Sequence, residues 1–279
     1  MSYPVPEKGP VHEFAPAKIN LTLHVTGQRS DGYHLLDSLV VFADFGDHLS
    51  LSLSSHRSLS VAGPRANGVP EDQRNLVIKA MEFSKLNAEV HLQKNLPAAA
   101  GIGGGSSDAA AALRGLARLY DIPIPTEPHT LGADVPVCLN AHAARIQGIG
   151  EIIQPLPDLP KLHAVLVNPG VEVPTPTIFK ALKSRENTPM PDLPKWDTTA
   201  ALIAWVARMR NDLETPACQC APIIRSVLTT LAADPDCLLA RMSGSGATCF
   251  ALTDSRTKAE DMANRLARPG WWVQPVTLS

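Results

Sequence analysis

The stretch Leu96–Tyr120, LPAAAGIGGGSSDAAAALRGLARLY, carries the most distinctive chemistry in the chain. Gly101, Gly103, Gly104 and Gly105 leave no side chains to block an approach to the backbone. They also permit positive φ, so that successive N–H groups can converge on one point. Ser106, Ser107 and Asp108 supply helix-capping side chains, and the Ala/Leu run behind them is a strong helix former. Converging amides at the positive end of a helix form an anion site, most often for phosphate. A plain flexible loop before a capped helix is the alternative, and consecutive glycines abutting such a helix favour phosphate. No Gly-Lys-Ser/Thr follows the glycines, and Ser106 stands where G-x-G-x-x-G needs its last glycine, so neither familiar nucleotide loop is present.

Four other places set polar groups in apolar surroundings. Lys18 opens an alternating run, KINLTLHV, and by default is a surface lysine. Asp134 lies in LGADVPVCL; a carboxylate there needs a partner and could serve as a base, or else it is a turn or helix-capping aspartate. Met242–Phe250, MSGSGATCF, reads first as a hairpin, though its serines and amides could face a ligand. Tyr33 and His34 follow the turn GQRSDG and could stack on, and hydrogen-bond to, a planar ring; a solvent-facing strand end is the simpler reading.

These residues must be positioned by a mixed set of elements. After an irregular start, Lys18–Val25 predicts a strand with Ile19, Leu21, Leu23 and Val25 on one face and a polar opposite face. Apolar runs to Phe45 and over Leu49–Leu53 extend an antiparallel sheet. Asn75 caps a helix, NLVIKAMEFSKL, and Glu89–Leu96 is the strand that feeds the glycine loop. Pro155, Pro157 and Pro160 mark a composition shift, which predicts two domains, residues 1–157 and 158–279. The second holds a strand at His163–Val167, helices beginning near Pro176, Thr198 and Ala221, and a proline-rich loop from Asn187 to Trp196. It ends β-turn-β-α-β, the pattern of a ferredoxin-like sandwich. The fold class expected is α+β.

Composition narrows the function. At 279 residues, with 44% apolar and 19% charged residues, the chain has the balance of a globular protein able to bury a sizeable core. A net charge of -2 gives no footprint for nucleic acid or an anionic membrane. The first residues carry no apolar signal core, and no apolar run is long enough to span a bilayer. Cys138, Cys218, Cys220, Cys237 and Cys249 are odd in number, and the lone C-x-C is weak for zinc, so free thiols in a cytoplasmic protein are expected.

The blocks PAKINLTLHVTGQRSDGYH, LPAAAGIGGGSSDAAAAL and MSGSGATCFAL, in this order, resemble the three motifs of the GHMP kinases. With LGADVP and PTPTIFK downstream, they are most similar to the branch whose acceptor is a cytidine-diphosphate-linked methylerythritol. The resemblance runs from Pro16 to the C-terminus. It implies ATP-dependent phosphoryl transfer to a hydroxyl of that acceptor, with Mg2+ as cofactor, on the route to isoprenoid precursors. The ATP phosphates would be wrapped by Pro97, Ala98, Ala99, Ala100, Gly101, Ile102, Gly103, Gly104, Gly105, Ser106 and Ser107. The catalytic pair falls on Lys18 and Asp134, and the adenine pocket on Asn75, Leu76 and Lys94. Asn20 would contact the acceptor, while Tyr33 and Phe179 would sandwich its cytosine beside His34. Magnesium ligands are not assigned, and a homodimer is left open. Between Tyr120 and Leu131 the chain departs from the family, which has room for a further helix where DIPIPTEPHT is short and proline-rich. The alternatives are a homoserine- or mevalonate-type kinase, disfavoured by the aromatic residues, and a silent nucleotide or sugar sensor, disfavoured by Lys18 and Asp134.

Overall fold

In the computed structural model, which describes residues 9–279, strand begins at Val11, so the irregular start does not reach as far as expected; residues 1–8 lie outside the described part. The elements are β1 (Val11–Asn20), β2 (His24–Gln28), β3 (His34–Leu53), β4 (Ser58–Ala62), α1 (Leu76–Ser84), β5 (Ala88–Gln93) and α2 (Gly104–Tyr120). A 3-10 turn at Pro128–Thr130 and α3 (Val135–Asn140) lead to β6 (Ala144–Gly148) and β7 (Ile152–Pro155). There follow β8 (Leu162–Asn168), α4 (Thr175–Lys180), α5 (Thr199–Ala207), α6 (Glu214–Cys220) and α7 (Ile223–Ala232). The chain ends with β9 (Leu239–Met242), β10 (Cys249–Thr253), α8 (Arg256–Leu266) and β11 (Trp272–Leu278).

A single cut near residue 157 does not separate these elements. One compact unit takes the chain up to Ala15, Gly46–Leu96 and Gly105–Leu139; the other takes Pro16–Phe45, Pro97–Gly104 and Asn140–Ser279. The chain passes between them several times, and β1 and β3 each contribute residues to both. A proline-marked composition shift cannot register such crossings, because strands that change unit keep one continuous apolar pattern.

In the first unit, β5 pairs antiparallel with the second half of β3 (His48 opposite Gln93) and parallel with β4. Helix α1 starts where Asn75 accepts the Val77 amide on its side chain, as its sequence predicts. Helix α2 packs closely on this sheet: a methyl on Gly115 would fall 2.6 Å from Leu51. Glu13 binds Arg114 at 2.9 Å and Arg118 at 2.6 Å, and Arg114 donates on to the Cys138 and Leu139 carbonyls. These are carbonyls at the end of α3, which lack partners within the helix.

In the second unit the strands form two groups, joined where Leu278 of β11 pairs antiparallel with Ala43 of β3. The first half of β3 pairs antiparallel with β2 and with β6, and β6 turns back into β7. In the C-terminal part, the antiparallel order is β11-β8-β10-β9. Numbered along the chain that is 4-1-3-2, the ferredoxin-like order anticipated from the final β-turn-β-α-β, with α4–α7 inserted after its first strand. Ile224, Val227 and Leu231 of α7 and Ala259, Met262 and Leu266 of α8 bury against Val165, Val167 and Ala251. Helix α6 was not expected; Pro216 and the C-x-C hide its short period.

Two local expectations need correction. Lys18–Val25 is not one half-solvated strand: β1 ends at Asn20 and β2 starts at His24. Both faces are covered, with Lys18, Asn20, Thr22 and His24 at most 5% exposed. The polar face persists because its groups are paired, as in Thr22 Oγ1 accepting the Leu39 amide and Asn20 Nδ2 donating to Ser38. Helix α2, for its part, begins at Gly104, so Ser106, Ser107 and Asp108 lie within it rather than capping it.

Asp108 is drawn away from the backbone by Lys94. The Lys94 ammonium, 3% exposed, donates to Asp47 at 2.5 Å and to Asp108 at 2.6 Å. Burial opposes its charge, but the two carboxylates outweigh burial and hold it above its ordinary range. Burial pushes the Asp108 carboxyl up to about 7, against the pull of Lys94 and with a further push from Asp47. Removing the cation would strand two carboxylates in the interior. Lys94→Met is therefore expected to destabilise the protein by about 3–5 kcal/mol, read as a lower urea midpoint at neutral pH; an unchanged midpoint would contradict a structural role for this lysine.

Candidate active site

The glycine loop alternates its backbone handedness. Ala99, Gly101 and Gly103 have φ of 48°, 72° and 65°, while the residues between them do not. Alternation of this kind turns consecutive N–H groups toward one concavity, and here the chain runs directly into the N-terminus of α2. Gly101 has a second constraint. A methyl on it would lie 2.6–2.8 Å from backbone atoms of Ser243 and Gly246, so the loop and the β9–β10 hairpin touch main chain to main chain.

That hairpin is the third candidate motif, and it is both a hairpin and a support for the loop. Ser243 Oγ donates to the Gly101 carbonyl at 3.0 Å and accepts the Asn20 amide at 3.1 Å. Thr248 N–H donates to the Ala100 carbonyl at 3.1 Å. Lys18 sits on the same support: its amide donates to Ile102 O at 2.9 Å, and a methyl on Gly103 would lie 3.2 Å from its Cβ. Lys18, Asn20 and the loop up to Gly104 are thus brought together in one unit. Asn20 serves here as a buried junction, its backbone amide bonded to Ser243 and its side-chain amide to Ser38.

In the other unit, Asp134 immediately precedes α3, with its carbonyl accepting the Cys138 amide. The turn that carries it lies against the start of α2, since a methyl on Gly132 would be 3.6 Å from Ser106 Oγ. Leu76 lies next to Gly105. Asn75 spends its side chain on the Val77 amide and the Pro70 carbonyl. Lys94 is committed to Asp47 and Asp108 and is turned from solvent, so its side chain is not presented to a base. Ser107 Oγ is buried without a hydrogen-bond partner. Among the described residues, no group of three or more His, Cys, Asp or Glu is placed to hold a metal ion, and no helix is long and apolar enough to cross a membrane. None of the five cysteines is joined in a disulfide.

The aromatic residues are arranged differently from the expected sandwich. His34, not Tyr33, stacks on Phe179, with ring centroids 4.7 Å apart and planes 27° apart. Tyr33 is 61% exposed. Tyr33 lies just outside the strand that begins at His34, and its ring is turned to solvent rather than onto Phe179. Burial and the Arg185 charge hold His34 below its ordinary range, which leaves a neutral ring near pH 7. Its Nε2 is buried and unpartnered. Sequence reasoning missed Ser243 as a site residue and overlooked Asn211, whose side chain grips the same hairpin; the serine lay in a motif already singled out, but Asn211 gave no local signal.

Comparison with known proteins identifies the family of the chain. The description "GHMP kinases N terminal domain" matches residues 75–142, and "GHMP kinases C terminal" matches residues 196–270. A 4-diphosphocytidyl-2-C-methyl-D-erythritol kinase of Dinoroseobacter shibae is 57% identical over 98% of this chain and 96% of its own length. One of the same name from Cereibacter sphaeroides is 54% identical over 95% of this chain and 98% of its own. A crystal structure of 4-(cytidine 5'-diphospho)-2C-methyl-D-erythritol kinase superposes with a TM-score of 0.78 at 34% identity, covering 96% of this chain and 99% of that one. The chain belongs to the 4-diphosphocytidyl-2-C-methyl-D-erythritol kinase family of the GHMP kinases.

Proposed function

We infer that the protein transfers the γ-phosphoryl group of ATP to a hydroxyl of 4-diphosphocytidyl-2-C-methyl-D-erythritol, a step toward isoprenoid precursors. The observation that carries this reading is family membership along nearly the whole chain, with all three motifs in place. Phosphoryl transfer asks a protein mainly for alignment and charge neutralisation. Amides of the loop around Gly101 and Gly103 are suited to the donor phosphates. Lys18, beside Gly103, would offset the charge that builds on the transferring group. Asp134 would accept the proton of the attacking hydroxyl. A magnesium ion bound with the nucleotide would supply further charge neutralisation, and the unpartnered Ser107 Oγ is an oxygen of the right kind to hold it.

Cytosine recognition would fall to Phe179, His34 and Tyr33. A neutral imidazole offers one donor and one acceptor, which suits a pyrimidine edge. An acceptor base that meets Nε2 would relieve a buried nitrogen now without a partner. The exposed ring of Tyr33 is free to close on the other side of the base, using binding energy remote from the reacting hydroxyl. A cytoplasmic setting accords with this metabolic role and with five cysteines outside any disulfide.

The direct test is a coupled ADP-release assay with the cytidine-linked methylerythritol, homoserine and mevalonate as acceptors. Turnover with the first alone is expected, and turnover confined to either of the others would overturn the substrate assignment. In the same assay Asp134→Asn should lower kcat by about 10² or more while leaving ATP affinity nearly intact; near-parental kcat would remove Asp134 as the base. Phe179→Ala should weaken cytidine diphosphate binding by about tenfold or more in calorimetric titration, with ATP affinity little changed. Unchanged cytidine diphosphate affinity would dismiss the nucleobase platform.

A further inference from the structure

The segment Arg210–Glu214, RNDLE, runs from the link after α5 into the first residue of α6 and touches two of the motifs described above. On one side it runs beside the link from β1 into β2: Leu23 N–H donates to Arg210 O and Asp212 N–H donates to Leu23 O, both at 2.8 Å, and Val25 N–H donates to Asp212 Oδ2 at 2.8 Å. On the other side it holds the hairpin. Asn211 Nδ2 donates to Met242 O at 2.8 Å and to Gly244 O at 2.9 Å, and Glu214 Oε2 accepts the Met242 amide at 3.0 Å. Asn211 therefore grips the carbonyls on both sides of Ser243. Its Oδ1 accepts the Leu213 amide at 3.0 Å, which fixes the orientation of the side-chain amide.

Ser243 is the residue whose single hydroxyl joins the Asn20 amide to the Gly101 carbonyl. We propose that Asn211 is a positioning residue for phosphoryl transfer: by bracketing Ser243 it fixes the glycine loop relative to the strand that carries Lys18. Both amide hydrogens of Asn211 are used, and no other side chain donates to the Met242 or Gly244 carbonyls among the described residues. A displaced Ser243 would let the loop amides drift from the lysine, and small misplacements are costly where alignment is the main source of rate. The nucleobase platform at His34 and Phe179 makes no bond to Asn211, so acceptor binding should not follow.

This proposal rests on the kinase reading, and its test separates the two. Asn211→Asp keeps an acceptor for the Leu213 amide but turns an oxygen toward the two carbonyls; Asn211→Ala removes the clamp without adding charge. In variants that melt within a few degrees of the parent, kcat should fall by about tenfold or more while the Kd for cytidine diphosphate stays within about twofold. Amide exchange at residues 99–104 and 243–247 should quicken by about tenfold, with the rest of the chain unchanged. Unchanged exchange at both loops, or quickened exchange with kcat within about twofold of the parent, would overturn the proposal. A parent without turnover would overturn the substrate reading instead, and loop exchange together with affinity for a non-hydrolysable ATP analogue would then decide whether the clamp positions the loop.

Discussion

No side chain fits between Gly101 and the turn at Ser243–Gly246. The main chains meet there, with 2.6 Å between a hypothetical Cβ and the nearest carbonyl oxygen. That contact allows Ser243 to reach the Gly101 carbonyl, Thr248 to reach Ala100, and Asn20 to reach Ser243. Through these bonds the glycine loop is held in a conformation that alternates sign of φ, which an isolated glycine-rich segment would visit only briefly. Preorganisation of this kind lets backbone amides stabilise phosphate charge without having to be ordered as the ligand arrives.

Buried charge does a related task on the helix that follows. A cation between carboxylates in the interior adds little net stability over an apolar cluster, because each ion must first lose water. What the Lys94 pairs with Asp47 and Asp108 supply is a fixed register between α2, the end of β5 and the middle of β3. Asp47 adds the amides of Asn95 and Leu96 on its second oxygen, so the chain is anchored just before it enters the loop. In the other unit, the Asp37–Arg145 pair holds both the amide and the carbonyl of Met190, which pins the proline-rich segment beyond Asn187. Each buried charge is spent on locating a stretch of backbone.

Signals that act within a few residues were legible in the sequence. Asn75 caps the helix it was expected to begin, and the last four strands assemble in the ferredoxin-like order. The glycine loop announced itself by composition. What was hidden depends on partners far along the chain. Asp108 reads as a capping residue until Lys94 is seen beside it, and Lys94, which the resemblance assigns to the adenine pocket, is bound to Asp47 and Asp108. Tyr33 and His34 are adjacent in sequence, and only the strand geometry decides that His34 meets Phe179. Asn211 has no local pattern at all; its meaning lies in two carbonyls more than thirty residues away.

Main-chain contact at Gly101 is what shapes the proposed phosphate site. The most direct test is the affinity of Gly101→Ala for a non-hydrolysable ATP analogue, measured by calorimetry beside that for cytidine diphosphate, once circular dichroism has shown the variant folded. The added methyl must displace the hairpin or the loop, and it strains a positive φ as well. Analogue affinity should fall by about a hundredfold or more with cytidine diphosphate binding retained; a folded Gly101→Ala that binds the analogue as the parent does would show that this contact does not shape the site.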